Sequence, residues 1–333
     1  MGDRRRTGGA LIIVAALSAG LAAAAWAAPP IGTLVAPATA TQPADRLTPP
    51  GPSVGGCPVF PSTNAWNTDV SGAPQHPRSA QIISTIQSVG GDNLHPDFGS
   101  NLAYGIPYVV VPAGQPAVPI VYTAYGDESD PGPFPVPLDA PVEGGSSAGG
   151  DRHVLVVQEG TCELFELFVA RRSGAGWSAD SGARWNLTTG ALRPIGWTSA
   201  DAAGLPILPG LVRYDEVAAG VVRHAIRVTF AQTQRGFILP ATHFASSRTT
   251  ADLPPMGMRL RLGADFDVTQ LTGQARVIAT AMQRYGLIVA DNGSNWFFQG
   301  GADPRWDDDD LEQLKAIPGT AFEVVDTGPV RTG

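Results

Sequence analysis

Ionisable side chains interrupt two otherwise apolar segments in GGDRHVLVVQEGTCELFELFV, residues 149–169. Alternate side chains of a β-strand share one face, so Glu166 has apolar neighbours and His153 shares its face with leucine and valine. A carboxylate in such surroundings is paired, faces a cleft or has a raised pKa. General acid–base catalysis uses such groups, and Asp151, in the glycine-rich turn, would supply a second carboxylate. We therefore predict catalytic roles for Glu166, Asp151 and His153.

A second apolar segment, VVRHAIRVTF at residues 221–230, also carries ionisable groups. His224 alternates with valine and isoleucine, whereas Arg223 and Arg227 share the opposite face, from which we expect them to bind substrate. His243 ends a later apolar segment, ATHFAS. If these strands are neighbours, the histidines and the predicted acid converge on one concave sheet face, where the histidines support or perform proton transfer.

Aromatic rings accompany carboxylates in GWTSADAAGLPILPGLVRYDE, residues 196–216. Trp197 and Tyr214 would stack on the apolar faces of sugar rings, while polar groups form hydrogen bonds with the hydroxyls. Asp215 is an alternative second carboxylate in the predicted active site. The other interpretation of the two aromatic residues is that they belong to the core.

Each histidine also has a structural interpretation, because a buried imidazole that is hydrogen-bonded to backbone or carboxylate stabilises a core. Zinc or iron binding by the three histidines and a glutamate is a further alternative. The sequence contains no HxH, HxxxH or HExxH spacing, and we predict no metal ligand. It also lacks Walker and GxGxxG motifs, which argues against nucleotide binding.

Two acidic segments raise the alternative of a calcium site, although we predict no cofactor. Residues 125–145 combine five acidic residues with prolines and are interpreted as a cleft rim or a solvated connection. Asp307–Asp310 are interpreted as carboxylates at a helix N-terminus, where they interact favourably with the helix dipole and cap free N–H groups.

Short β-branched or alternating segments, separated by glycine, proline and aspartate, dominate the middle of the chain. This spacing favours antiparallel pairing, because parallel strands need crossover helices. We predict a mainly β protein, an antiparallel β-sandwich or partly closed barrel with a few helices, mostly C-terminal. One helix is expected to start at Ser79 as N-cap, and another, TGQARVIATAMQRYG, to end at Gly286.

Composition divides the 333 residues into four parts. Residues 1–27 combine arginines, a short apolar run and an Ala-Trp-Ala sequence, the pattern of a cleaved signal peptide, with an uncleaved anchor as the alternative. Residues 28–56 are rich in proline, alanine and threonine and predict a disordered linker. Residues 57–327 have an ordinary globular composition and predict a single domain, followed by a tail at residues 328–333.

The predicted export signal gives the two cysteines, Cys57 and Cys162, a simple interpretation as a disulfide. We expect the protein to be secreted, extracellular or periplasmic, with retention at the cell surface as an alternative. The net charge of -8, with only 22 lysines and arginines, argues against nucleic-acid binding. No transmembrane segment is predicted after cleavage of the signal.

Several phrases, including GDRHVLVV, GWTSADAAGLPILPGLVRYDE and RYGLIVADNGSNWF, resemble those of a family of uncharacterised exported bacterial proteins. The resemblance extends from Cys57 to about Asp326. It implies a single export-associated domain, and it brings neither an established activity nor a catalytic residue.

Together these patterns predict an exported carbohydrate-active enzyme, a glycoside hydrolase or polysaccharide lyase, whose partner is an extracellular polysaccharide. A non-catalytic surface or polysaccharide-binding protein is the first alternative, and it would show exposed aromatic residues without paired acids. A metal-dependent enzyme is the second alternative, and it would bring the three histidines within ligand distance of one point.

Overall fold

A computed structural model of the chain describes residues 51–332. The predicted signal peptide and residues 28–50 of the predicted linker lie outside these residues. Residues 51–332 belong to one compact unit.

The strands are short, and most come from the apolar segments named above. They are β1 (Ser53–Val54), β2 (Cys57–Pro58), β3 (His95–Pro96), β4 (Tyr108–Val111), β5 (Ile120–Tyr122), β6 (Val154–Gln158), β7 (Glu163–Phe168), β8 (Arg171–Ser173), β9 (Gly176–Ala179), β10 (Ser181–Asn186), β11 (Ile226–Phe230), β12 (Arg259–Leu262), β13 (Leu287–Asn292), β14 (Phe297–Phe298) and β15 (Phe322–Val325).

Helices contribute less of the structure, and several lie near the C-terminus. The α-helices are α1 (Ser79–Gln87), α2 (Tyr214–Ala218), α3 (Gly273–Arg284) and α4 (Asp308–Glu312). Single 3₁₀ turns occur at Gly126–Glu128, Leu208–Gly210, Val268–Gln270, Gln313–Ala316 and Gly319–Ala321.

The sheets curl into a half-barrel, which confirms the prediction of a mainly β, partly closed architecture. A four-stranded sheet has the order β10-β7-β6-β4, and a six-stranded sheet has the order β15-β12-β13-β11-β14-β3. A smaller sheet has the order β5-β9-β8. Pairing is mixed rather than antiparallel throughout, because β4 with β6, β5 with β9, β11 with β13 and β14 with β3 are parallel.

The four-stranded sheet is buried on both faces. Leu155 and Leu164 contact the larger core, whereas Val156 and Phe165 belong to a second, smaller core on the other face. Strands covered on both sides need no polar face, which explains why β6 has an almost continuous apolar sequence. Glu166 lies in the middle of this sheet, opposite residues of both neighbouring strands.

Helix α3 matches its prediction closely. Its predicted stripe, including Ala275, Ile278 and Met282, is buried in the core. Gly286 follows with a φ of +71°, a left-handed conformation that glycine adopts without strain. A Cβ at this position would also lie 2.0 Å from the Leu260 carbonyl oxygen, so glycine is required for packing as well.

The capping predictions have different outcomes at the other two helices. At α4, Asp307 accepts a hydrogen bond from the backbone N–H of Asp310, which confirms the N-cap interpretation. At α1, the prediction for Ser79 is wrong, because the cap position is Arg78 and the Ser79 side chain is buried. The Ser79 hydroxyl instead accepts a hydrogen bond from the Val324 N–H of the adjacent strand β15.

The ends of the domain differ slightly from their predicted boundaries. Cys57 and Cys162 form the predicted disulfide. Strand β1, which precedes Cys57, pairs with β2, so the ordered structure includes residues that were assigned to the linker. Near the other end, Arg331 exchanges backbone hydrogen bonds with Phe237, so the predicted tail is partly paired. Within residues 51–332, no helix has the length and apolarity to cross a membrane.

Candidate functional site

A cleft of about 230 Å³ opens where the turn before the Leu208–Gly210 segment meets the end of β13. Its lining combines carboxylates, hydroxyls and rings. The residues are Tyr125, Asp151, Phe168, Ser181, Thr198, Ser199, Ala200, Asp201, Ala202, His243, Ala245, Asp291 and Asn292.

Two carboxylates of the lining, Asp201 and Asp291, form the floor of the cleft above the buried side chain of Arg227. Arg227 donates two hydrogen bonds to Asp201, with Nη2–Oδ1 2.8 Å and Nε–Oδ2 3.0 Å. The same Nη2 lies 3.9 Å from Oδ2 of Asp291. Because both carboxylates approach one nitrogen, they lie within a few ångströms of each other. Strand β11 carries Arg227 and the adjacent strand β13 carries Asp291, so neighbouring parallel strands set this spacing.

The two floor carboxylates have different environments. Burial, together with the neighbouring carboxylate of Asp201, raises the pKa of Asp291 to about 7, although Arg227 opposes this shift. Burial by itself would lower the pKa of the Arg227 guanidinium, but Asp201 raises it above its ordinary value. A substantial fraction of Asp291 is therefore expected to be a protonated carboxylic acid beside an ion pair near neutral pH.

Two further ionisable groups, His243 and Asp151, lie on the walls. Nδ1 of His243 is 2.7 Å from the carbonyl oxygen of Ala202, so this nitrogen carries a proton. In the neutral ring the other nitrogen is then a hydrogen-bond acceptor. Asp151 is exposed in the cleft lining. The cleft thus brings together Asp151 and His243, two of the residues predicted from sequence.

A tight turn carries Asp201 into the cleft. Ser199 Oγ accepts a hydrogen bond from the Asp201 N–H at 2.9 Å and donates one to the Leu205 carbonyl at 2.6 Å. Gly204, with a φ of +67°, closes the turn by donating to the Asp201 carbonyl. A Cβ at Gly204 would lie 2.2 Å from Thr242 Oγ1, so only glycine fits here.

Glu166 lies behind this turn rather than in the cleft lining, and it is fully buried. Its carboxylate accepts hydrogen bonds from the N–H groups of Ile207 and Leu208 at 2.9 to 3.1 Å and from Trp185 Nε1 at 3.2 Å. Burial raises its pKa to about 7, although the backbone hydrogen bonds oppose the shift. These contacts make Glu166 a support for the 3₁₀ turn at Leu208–Gly210.

His153 is also buried below the cleft. Its ring contacts Glu143 through Nδ1 at 2.7 Å and the Ala200 carbonyl through Nε2 at 3.0 Å. It therefore supports the segment that leads into Asp201. His153 does not line the cleft, and its predicted role as a supporting or proton-transferring group stays a prediction.

The remaining predicted residues lie outside the cleft lining. His224 is buried and contacts Glu216 through Nε2 at 3.0 Å. Asp215 is exposed, with Oδ1 3.6 Å from Arg213 Nε. Three others complete this group: Trp197, whose ring packs against Arg193; Tyr214, which packs between Arg305 and Trp306; and the half-buried Arg223.

The residues predicted from sequence did not include three members of the cleft lining, Asp201, Asp291 and Tyr125, or Glu143, which contacts His153 below the cleft. Asp201 lies in the aromatic segment 196–216, and Asp291 directly follows the apolar sequence LIVA at residues 287–290. An acidic residue at the edge of a predicted strand or turn was therefore visible in both places. Tyr125 and Glu143 mark the ends of the acidic segment 125–145. Tyr125 is 48% exposed and lines the cleft, so this end of the segment forms part of a cleft rim, which is one of its interpretations from sequence.

The metal alternatives have little support in the described part of the chain. Residues 51–332 contain no group of three or more His, Cys, Asp or Glu side chains arranged to hold a metal ion. His153, His224 and His243 each contact a different backbone carbonyl. In the Asp307–Asp310 segment, Asp308 accepts hydrogen bonds from Ser100 and Asp310 accepts one from the Gln274 N–H.

Comparisons with known proteins give no family for this chain. No protein-family model, curated protein or solved structure matches it. Functional conclusions therefore rest on the cleft itself.

Proposed function

We propose that the protein is an exported polysaccharide hydrolase whose active site is the cleft above Arg227. One observation carries the proposal: Asp291 and Asp151 line the same cleft, and the environment of Asp291 favours its protonated form. Glycoside hydrolysis uses such a pair, with one carboxylic acid to donate a proton and one carboxylate to accept one.

In this proposal Asp291 donates its proton to the glycosidic oxygen as the bond to the anomeric carbon breaks. A water molecule attacks that carbon and transfers a proton to Asp151, so that one water is consumed for each bond cleaved. His243, with Nδ1–H held by the Ala202 carbonyl, accepts a hydrogen bond from the water or from a sugar hydroxyl. Arg227, which is paired with Asp201, lies below Asp291 with Nη2 3.9 Å from its Oδ2.

The charge of the cleft supports hydrolysis over lyase chemistry. A lyase that acts on uronates needs a cationic group to neutralise the carboxylate beside the carbon that loses its proton. Among the described residues, no lysine or arginine lines the cleft. The guanidinium of Arg227, below the cleft, is already paired with Asp201. We therefore infer an uncharged glycan, whose apolar sugar face would pack on the exposed ring of Tyr125.

An exported location is part of the proposal, and the disulfide between Cys57 and Cys162 supports it. Disulfides persist in oxidising compartments and are rare in the cytosol. The signal peptide at residues 1–27 stays a prediction.

The test is a screen of the purified protein on uncharged, uronate-containing and sulfated polysaccharides. Release of reducing ends reports hydrolysis, and formation of unsaturated products reports lyase activity. We expect hydrolysis of an uncharged glycan, which Asp291→Asn lowers by about a hundredfold or more. The matched control is Asp92→Asn, at an exposed aspartate outside the cleft lining.

Two outcomes would contradict the proposal. Equal activity of the Asp291→Asn and Asp92→Asn variants would remove Asp291 from the chemistry. Binding of a glycan without cleavage of any substrate would favour the alternative of a polysaccharide-binding protein.

A further inference from the structure

Oxygen atoms contact both ring nitrogens of His153. Nδ1 lies 2.7 Å from Oε2 of Glu143, and Nε2 lies 3.0 Å from the carbonyl oxygen of Ala200. A carbonyl oxygen only accepts hydrogen bonds, so Nε2 carries a proton. An ionised carboxylate also only accepts, so Nδ1 carries a second proton and the ring is an imidazolium.

Glu143 is the carboxylate that stabilises this buried cation. Its Oε2 also accepts a hydrogen bond from the backbone N–H of His153 at 3.2 Å. The His153 side chain is only 3% exposed. Burial by itself would lower the pKa of His153, but the hydrogen bond and the charge of Glu143 raise it to about 9.

The imidazolium connects two segments that border the cleft. Glu143 belongs to the acidic segment 125–145, and Ala200 immediately precedes Asp201. The ring of His153 also packs at 5.7 Å from the ring of Phe168, which lines the cleft. A displacement of the Ala200 carbonyl would therefore move Asp201, and with it the ion pair that borders Asp291.

We propose that Glu143 is a positioning residue of the cleft: it keeps His153 doubly protonated, and the imidazolium fixes the Ala200 carbonyl and the adjacent Asp201 carboxylate. The identity of the substrate rests on the proposed function, whereas the state of His153 does not. Other ionisable groups also act on this ring, among them Glu166 and Asp291, each of which interacts electrostatically with it. Asp151 favours its charged form, and Arg227 opposes it.

The test uses Glu143→Gln, which keeps a side chain of the same length but removes its charge. Nitrogen NMR of the histidine rings distinguishes doubly from singly protonated imidazole, and His153→Gln assigns the His153 signals among the five histidines. At about pH 8 an unperturbed histidine is neutral. We expect a doubly protonated His153 in the native protein and a singly protonated ring in Glu143→Gln.

Two matched variants separate the loss of the Glu143 charge from a general disturbance of the fold. Glu143→Asp retains the charge and should restore the doubly protonated ring. Glu163→Gln removes a carboxylate that pairs with Arg184 on the same sheet, and it should leave His153 unchanged.

The positioning role has its own readout, the backbone amide signals of residues 199–202. These signals should shift in Glu143→Gln and stay in place in Glu163→Gln. If the glycan assay succeeds, Glu143→Gln should also lower hydrolysis by about ten- to a hundredfold, because small displacements of catalytic groups have effects of this size.

The outcomes separate this inference from the proposed function. A singly protonated His153 in the native protein, or amides 199–202 that do not move in Glu143→Gln, would overturn the positioning role. A protein that hydrolyses no glycan but shows both NMR effects would retain the Glu143–His153 inference and lose the proposed activity.

Discussion

Arg227 donates two hydrogen bonds to the carboxylate of Asp201, from Nε at 3.0 Å and from Nη2 at 2.8 Å. The two side chains are almost completely buried, with exposures of 4% and 0%. A buried ion pair of this kind has a large desolvation cost, which only the complete pair offsets. The arrangement keeps one ionised carboxylate and one guanidinium immediately beside Asp291.

Removal of one member of this pair should destabilise the fold strongly. Asp201→Ala leaves the buried guanidinium with only the Asp291 carboxylate beside it, 3.9 Å from Nη2, and we expect the free energy of unfolding to fall by about 3–5 kcal/mol in urea denaturation. The double variant Asp201→Leu with Arg227→Met should recover most of this loss, because no unpaired charge remains.

The matched control for this prediction is Asp69→Ala. Asp69 pairs with Arg284 at the surface, with side-chain exposures of 41% and 59%, so its loss should cost about 1 kcal/mol or less. Equal losses in Asp201→Ala and Asp69→Ala would show that the buried pair has no special role in stability.

The pKa of Asp291 predicts the pH dependence of activity. A general acid must be protonated, and the pKa of Asp291 is raised to about 7. Hydrolysis should therefore persist at mildly acidic pH and fall tenfold for each pH unit above about 7. A rate that stays constant through this range, measured as kcat/KM on the substrate found in the screen, would contradict the assignment of Asp291 as the acid.

Glu166 predicts a pH dependence of stability instead. At about pH 5, Glu166→Gln places an amide against three N–H donors that the Glu166 side chain now satisfies, and it should cost about 1–3 kcal/mol of unfolding free energy. The raised pKa means that the native state binds a proton more tightly than the unfolded chain. The contribution of Glu166 is therefore fully present below its ordinary pKa of 4.5 and is lost as the pH rises to about 7.

The destabilisation caused by Glu166→Gln should consequently shrink between about pH 5 and about pH 8. Asp291 titrates in both proteins, so its effect cancels in the difference. Glu163→Gln, in the same strand but paired with Arg184, serves as the control. It should cost about 1 kcal/mol or less. A difference between native protein and Glu166→Gln that is independent of pH would show that Glu166 does not titrate in this range.

The sequence was most informative where a local pattern, or a pair of residues without alternatives, decided the structure. The apolar stripe of α3 and its glycine stop depend on local periodicity, and the pairing of two cysteines leaves one choice. The polar groups were harder to place, because Glu166 and His153 look equally odd whether they face a cleft or a backbone turn. Only the fold shows that backbone N–H groups donate hydrogen bonds to the Glu166 carboxylate.

Parallel pairing was the other feature that sequence reasoning could not supply. Strands β11 and β13 are separated by more than fifty residues that include β12 and α3, yet they are hydrogen-bonded neighbours. This long-range pairing brings Arg227 beside Asp291. Strand composition carries no information about such a partner, so the floor of the cleft could not be predicted from spacing along the chain.

The disulfide should provide a large part of the stability, because it closes a long loop. Cys57 and Cys162 are separated by 105 residues, and in the chain-entropy model a loop of about this length is worth roughly 4–5 kcal/mol. We expect the double variant Cys57→Ser with Cys162→Ser to lose about this amount in urea denaturation. Reduction of the native protein should lower its free energy of unfolding by a similar amount. The double variant should not respond to the reductant. A reductant effect of equal size on both proteins would mean that the bond itself contributes little. A double variant as stable as the oxidised protein would place the stability of this end of the domain in the β1–β2 pairing and the buried contacts around it.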